Sequence, residues 1–222
     1  MLIDLSDKTQ SGVFSVSNAI KVVAFDVFGT LIRMSVKNHP YRKVLKYAKD
    51  VGRKPRQDDA RLLMTQNLPP ERIFEHMGIS IPLDMLEQFY REVAAELTSL
   101  TLFDDVIPVL DALAKNEIRV ALCSNLAKPY GEVIDRLLSD YTFIKCLSYE
   151  VGAIKPESEI YDDIVTKSGV AASQILFVGD TYIADVEGPL NYGFHALHLQ
   201  RDSGQASPIC IQSLSQVMNN IY

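Results

Sequence analysis

The stretch AFDVFGTLIRM, residues 24–34, decides how the rest of the chain is read. With the residues before it, it forms IKVVAFDVF (20–28), a continuous apolar run rich in β-branched residues. Such a run suits a strand buried on both faces of a parallel sheet. The run reaches a carboxylate, Asp26, and then a turn marked by Gly29 and Thr30. In an open α/β sheet the carboxyl ends of the strands are where ligands bind. Two positions after Asp26, where a second carboxylate would serve as a proton donor, stands Phe28.

Similar runs recur at IRVALCSN (118–125), ILFVGD (175–180) and GFHALHL (193–199). Helical patterns lie between them. DDVIPVLDALAKN (104–116) has an acidic start and an apolar stripe, and PYGEVIDRLLSD (129–140) puts Val133, Ile134, Leu137 and Leu138 on one face. PESEIYDDIVTKSG (156–169) opens with proline and stops at Gly169, the expected helix punctuation. Strands alternating with helices predict an α/β fold with a parallel sheet. Residues 37–100 break the alternation and read as helices only, most clearly PLDMLEQFYREVAAELTSL (82–100). The expected organisation is a lead-in at 1–19, a Rossmann-like core at 20–36 and 101–222, and an inserted α-helical cap at 37–100.

Composition bounds the function classes. The chain has 222 residues, 47% hydrophobic and 23% charged, with a formal net charge of −6. That length buries a core without disulfides or metals as staples. The acidic balance argues against nucleic-acid or membrane-surface partners, yet leaves room for a local positive pocket and a small anionic substrate. Cys123, Cys146 and Cys210 are widely spaced and odd in number, so reduced thiols in a cytoplasmic protein are expected. MLIDLSDKTQSG carries Asp4 and Asp7 and lacks the basic start of a signal peptide. No stretch approaches transmembrane length. A monomer or homodimer fits equally well.

Four strand ends carry chemistry-bearing residues. Asp26 follows the first strand. Ser124 and Asn125 end the next, a hydroxyl and an amide able to hold an anion with neutral donors. Lys155, in GAIKPESEIY, stands just before the predicted helix, where its charge and free backbone N–H groups suit an anion. VGDTYIADVEG puts Asp180 at a strand end and Asp185 five residues on, two hard carboxylates that suit a cation such as Mg²⁺. Each of these alone is as common in turns, caps and solvated loops. His195 and His198, three apart on a strand, point to opposite faces and do not share a metal. Arg33, Arg42, Arg53 and Arg56 are candidate cationic contacts, although GRKPR (52–56) reads more simply as a solvated turn, and Tyr90 and Arg91 read as core or surface residues of the long helix.

The order and placement of these ends, with an insert after the first, resembles the haloacid dehalogenase superfamily from Ile20 to about Leu199. FDVFGTL looks like its first motif, SN its second, IKP its third and GDTYIAD its fourth. The resemblance implies Asp26 as nucleophile and Ser124 with Lys155 holding the transferred group, with Thr30 and Asn125 as further substrate contacts. It implies Asp180, supported by Asp185, as Mg²⁺ ligands in phosphatase members. Phosphatases of the superfamily normally carry a second Asp where this chain has Phe28. The metal-independent dehalogenases place an aromatic residue there, followed by GT, but tend to lack the first acid of the fourth motif. This chain mixes the two signatures.

Charge favours the phosphatase. Asp26, Asp180 and Asp185 converging on one lysine form an unbalanced cluster that recruits a cation, with the Phe28 backbone carbonyl as a further oxygen ligand. Phe28 lacks a proton to give an alkoxide, help typically worth about 10²- to 10⁴-fold. Good leaving groups are therefore expected to react best. The leading expectation is a Mg²⁺-dependent phosphatase of a small phosphorylated metabolite. The rivals are a metal-independent 2-haloacid dehalogenase and a binding or regulatory protein that has lost catalysis through Phe28.

Overall fold

The computed structural model describes residues 19–202 and 207–221; the lead-in expected over the first residues lies outside them. The elements run β1 (Val22–Phe25), β2 (Ile32–Met34), α1 (Pro40–Asp50), α2 (Asp59–Thr65), α3 (Pro70–His76), α4 (Leu83–Thr98) and β3 (Leu100–Leu102). They continue with α5 (Val106–Lys115), β4 (Arg119–Ser124), α6 (Lys128–Leu137), β5 (Ile144–Leu147), α7 (Ser148–Val151) and α8 (Ser158–Ser168). Then come β6 (Ile175–Gly179), a π-helical segment (Tyr182–Glu187), α9 (Gly188–Tyr192), β7 (His195–Leu199), β8 (Cys210–Ile211) and a 3₁₀ segment (Leu214–Asn220).

Six strands form one parallel sheet in the order β5-β4-β1-β6-β7-β8. The fold class is the expected Rossmann-like α/β. Alternation along β1 explains why it reads as one apolar run. Val22 and Ala24 face a cluster with Ala121, Phe177, Ile160, Tyr161 and Ile164, while Val23 and Phe25 face Leu122, Val178, Val109, Leu110 and Ile134. Both faces are covered by helices, so every β1 side chain is fully buried. Central β1 lies between β4 and β6, which brings Asp26, Ser124 and Asp180 to one edge of the sheet.

β2 and β3 pair antiparallel, Ile32 opposite Leu102, at the root of the helical segment. The four helices between them pack around their own apolar cluster, which includes Val44, Leu63, Ile73, Phe74, Phe89 and Val93. Contrary to the reading of GRKPR as a solvated turn, Arg53 is bound. Its guanidinium donates to both oxygens of buried Asp59, at 2.7 and 2.6 Å, and its Nε donates to the Met77 carbonyl at 2.8 Å. The Arg53 hydrogen bonds hold the Asp59 carboxyl below the usual carboxylate range.

Asp59→Asn is accordingly expected to cost about 2 kcal/mol, the scale of hydrogen bonds to charged groups, read by urea unfolding at pH 7. A depressed folded-state pKa means that the pair's contribution is present above the unfolded value, about 3.9, and is lost as pH falls through the folded one. The difference between variant and wild type should therefore shrink in acid.

Candidate active site

The carboxyl ends of β1, β4 and β6 build the site. Asp26 leaves β1 with its backbone N–H donating to the Val178 carbonyl at 2.9 Å. The residue is only 7% exposed. Asp26 Oδ1 accepts from Ser124 Oγ at 3.2 Å and from Lys155 Nζ at 2.7 Å. The same ammonium donates to Asp185 Oδ1 at 2.6 Å. The second Asp185 oxygen accepts from the Thr181 N–H at 2.9 Å, and the residue is fully buried inside the π-helical segment. Asp180 follows β6 and remains accessible.

Asp26, Ser124, Lys155, Asp180 and Asp185 therefore meet, and one carboxylate oxygen each of Asp26, Asp180 and Asp185 lies within 4.8 Å of the others. Burial raises the Asp26 carboxyl above the usual range; the Lys155 charge pulls it back, and Asp185 pushes it up again. Partial burial, then the Asp26 charge, raises Asp180. Burial alone would favour the neutral amine of Lys155, but Asp26 and Asp185 hold it firmly protonated. One ammonium against three clustered carboxylates leaves net negative charge. A set of hard oxygens at this spacing fits a hard divalent cation such as Mg²⁺.

Two glycines permit the close approach. At Gly29, with φ of 94°, an added Cβ would lie 2.2 Å from Asp180 Oδ2. At Gly179 it would lie 2.4 Å from the Asp185 carboxylate.

Lys155 differs from the sequence expectation in its setting. The helix after it begins only at Ser158, beyond a cis Lys155–Pro156 peptide, so the lysine acts through its ammonium rather than beside a helix start. Asn125 fixes it. The Asn125 amide donates to the Lys155 carbonyl at 2.9 Å and accepts from the Lys155 N–H at 2.7 Å. Thr30 is fully buried; its hydroxyl has no hydrogen-bond partner among the described residues, and its carbonyl accepts from Arg201 at 2.8 Å.

Sequence reasoning passed over several neighbours. His198 is largely buried at the end of β7, with Nε2 3.0 Å from the Asp180 carbonyl oxygen. The strand-end rule applied to GFHALHL would have found it. Arg201 stacks over Phe103 at 3.9 Å, pairs with both oxygens of Asp105 and braces the turn after Asp26. Tyr130 on α6 packs edge-on against Phe28 at 6.1 Å and donates to buried Glu96. Tyr90 is engaged with Glu71, and Arg91 pairs with Glu87 at 3.8 Å. A cavity of about 740 Å³ adjoins the cluster. Phe28, Gly29, Asn125 and Asp180 line it from the sheet side, and Tyr41 and Leu63 from the helical segment.

Residues 20–193 match the family model for haloacid dehalogenase-like hydrolases, and the chain belongs to that family. The chain is 33% identical over 86 residues to pyrimidine 5′-nucleotidase YjjG of Escherichia coli (strain K12). That match covers 36% of this chain and 38% of the relative's length. The fold is similar to that of YfnB from Bacillus subtilis, a HAD hydrolase described with bound magnesium, at TM-score 0.62 and 14% identity over 91% of this chain and 99% of that one. It is also similar to a 2-haloacid dehalogenase from Pseudomonas syringae pv. Tomato DC3000, at TM-score 0.60 and 19% identity over 90% and 97%. The neighbourhood thus contains both phosphoester and carbon–halogen hydrolases.

Gly29→Ala should force the Asp180 carboxylate away and strain a left-handed backbone. A displacement of about 1 Å at a reacting centre costs on the order of 10²-fold in rate. Hydrolase activity should fall by that factor, with weaker divalent-cation binding in a calorimetric titration.

Proposed function

We propose that this protein is a Mg²⁺-dependent phosphatase acting on a small phosphorylated metabolite, with Asp26 as nucleophile. The observation that carries the reading is that Asp26, Asp180 and Asp185 each bring a carboxylate oxygen within 4.8 Å of the others, with Lys155 bridging Asp26 and Asp185. The dehalogenase chemistry needs no metal and has no use for Asp180 and Asp185 as a pair of ligands. In this reading Asp26, Asp180, Asp185 and the Phe28 carbonyl would hold Mg²⁺, which would screen the carboxylates so that an anionic nucleophile can approach an anionic phosphoester.

The remaining steps belong to the chain's own groups. An Asp26 oxygen attacks phosphorus in line, and the ester P–O bond breaks with its electron pair on the leaving oxygen. Ser124 and Lys155 hold the transferred phosphoryl group. Water then attacks the aspartyl phosphate, releasing phosphate and the Asp26 carboxylate. The helical segment 37–100 serves as a cap on the core formed by 20–36 and 101–222, and residues from α1 and α2 in the cavity wall support that role.

Phe28 favours the second reading, a metal-independent 2-haloacid dehalogenase, because an aromatic wall suits an alkyl halide and a halide leaves without a proton. Offering acetyl phosphate, an alkyl phosphate and 2-chloropropionate, each with Mg²⁺ and with EDTA, separates the two. Phosphate release abolished by EDTA is expected. Restoring an acid by Phe28→Asp should raise alkyl-phosphate turnover by about 10²-fold, the lower end of general-acid catalysis. Chloride release indifferent to EDTA would replace this reading with the dehalogenase, and binding of Mg²⁺ without any turnover would leave a non-catalytic binding protein.

A further inference from the structure

Two contacts between the helical insert and the core converge on the supports of Lys155, and both come from α2. Ala60, Leu63 and Met64 of that helix line the cavity, whereas Arg61 reaches across to the core. Its Nε donates to Glu157 Oε1 at 2.6 Å and its Nη2 to Glu157 Oε2 at 2.8 Å. Nη2 also donates to the Gly152 carbonyl at 3.1 Å. Gly152 and Glu157 are the two ends of the loop between α7 and α8, the loop that carries Lys155. One guanidinium from the insert therefore spans it.

The same carboxylate closes the loop on itself. Glu157 Oε2 accepts from the Ile154 N–H at 3.1 Å, and the Glu157 N–H donates to the Ile154 carbonyl at 2.7 Å. The Arg61 hydrogen bonds hold the Glu157 carboxyl below the usual carboxylate range, so it is ionised at neutral pH. The second contact runs through Ser148, which is fully buried. Its hydroxyl donates to the Met64 carbonyl at 2.6 Å and accepts from the Leu126 N–H at 2.9 Å. Leu126 follows Asn125, whose amide clasps the Lys155 backbone in both directions.

The Lys155 ammonium bridges Asp26 and Asp185 only while its backbone stays in place. A bidentate arginine–carboxylate fork fixes distance and orientation together. The Arg61 and Glu157 side chains are nevertheless 42% and 31% exposed, and an ion pair in such a setting adds little to stability. Its geometry suits aiming a loop better than holding the fold together.

We propose that Arg61 is a positioning residue for Lys155, acting through Glu157, and that it couples the helical insert to the lysine that holds the transferred phosphoryl group. The proposal rests on the phosphatase reading. Arg61 itself neither contacts the phosphoryl group nor moves a proton.

The test follows phosphate release from acetyl phosphate with Mg²⁺. It compares wild type, Arg61→Ala, Arg61→Lys, Glu157→Ala, the double alanine variant and Arg72→Ala, each at a temperature where circular dichroism shows it folded. Arg61→Ala should lower kcat about tenfold, short of the 10²-fold or so that a full 1 Å displacement costs. KM should stay nearly unchanged, because a stabiliser of developing charge acts in the transition state. Arg61→Lys keeps the charge but loses the fork, so it should also fall below wild type. The double variant should lose no more than Glu157→Ala alone, since one route carries both effects. Arg72→Ala, which removes an arginine of the insert paired with Glu75 inside α3, should keep wild-type kcat. Wild-type kcat in Arg61→Ala or Arg61→Lys, a loss confined to KM, losses that multiply in the double variant, or an equal loss in Arg72→Ala would overturn the positioning role, while wild-type turnover upholds the phosphatase. Absence of phosphate release by wild type would overturn the phosphatase reading, and the proposal with it.

Discussion

Asp26→Asn should lower phosphate release by at least about 10⁴-fold, the scale of losing a nucleophile, and yet leave the metal-free protein no less stable than wild type. The two effects share one cause. Asp26 is buried beside Asp185 and Asp180, and its carboxyl is raised above the usual range despite Lys155. An acid whose folded-state pKa is raised stabilises the fold at low pH and costs stability as pH rises through that value. At neutral pH the ionised Asp26 is therefore a net burden on the metal-free fold. Asparagine keeps an oxygen to accept from Ser124 and Lys155 but removes the charge, and Lys155 retains Asp185. In EDTA the melting temperature of the variant should equal or exceed that of wild type. With saturating Mg²⁺ the order should reverse if the proposed metal site is correct, because the variant would have lost a charged ligand and would gain less from binding. Phosphate release from acetyl phosphate and thermal unfolding in both conditions measure this. A variant retaining about a hundredth of the activity or more would remove Asp26 from the nucleophile's role. A lower melting temperature in EDTA would mean that Lys155 already outweighs the burial cost. The expected pattern is a functional site built at the expense of stability.

Which parts of this site were legible beforehand follows from the range of each signal. Asp26, Ser124 and Asp180 stand at the ends of β1, β4 and β6, and those strands announce themselves locally because both faces are buried. Edge elements do not. β5 is a half-exposed IKCL and β8 spans two residues, and neither is an apolar run that periodicity can detect. Asp185 looked exposable in sequence, yet the π-helical turn and Gly179 draw it into the core against Lys155. The remaining partners are long-range. Arg53 is claimed by Asp59 and the Met77 carbonyl, Asn125 by the Lys155 backbone, and Glu96 by the Asn38 and His39 N–H groups at 2.6 and 2.8 Å as well as by Tyr130. A buried polar group needs partners, but the linear sequence does not say which ones fold within reach. The family motifs picked out residues that meet in the fold; the hydrogen bonds that orient them are a product of tertiary packing.

Lys155→Met is expected to have the largest effect on stability. The lysine is 4% exposed, its Nζ bridges Asp26 and Asp185, and it lies 5.2 Å from the centre of the Phe177 ring. Methionine matches the stem but removes the charge. The carboxylates of Asp26, Asp180 and Asp185, within 4.8 Å of one another, are then left without a cation. Removing one partner of a buried ion pair costs about 3–5 kcal/mol because the remaining charge is uncompensated. Unfolding by urea in EDTA at pH 7 should register that loss. Two treatments should reverse most of it. Saturating Mg²⁺ would place positive charge back among the carboxylates and stabilise the fold by mass action. Lowering the pH should also help: without Lys155 the already raised carboxyl of Asp26 rises further, and an acid with a raised folded-state value contributes stability as it protonates. Catalysis should not recover with stability. Under the phosphatase proposal the ammonium that would hold the transferred phosphoryl group is gone, and losing a stabiliser of developing charge costs about 10²- to 10³-fold. Rescue of folding by Mg²⁺ without rescue of turnover would separate the two roles of Lys155, one as counter-ion and one in holding the phosphoryl group. A variant as stable as wild type in EDTA at pH 7 would contradict the convergence of ionised carboxylates on which the metal-dependent reading depends.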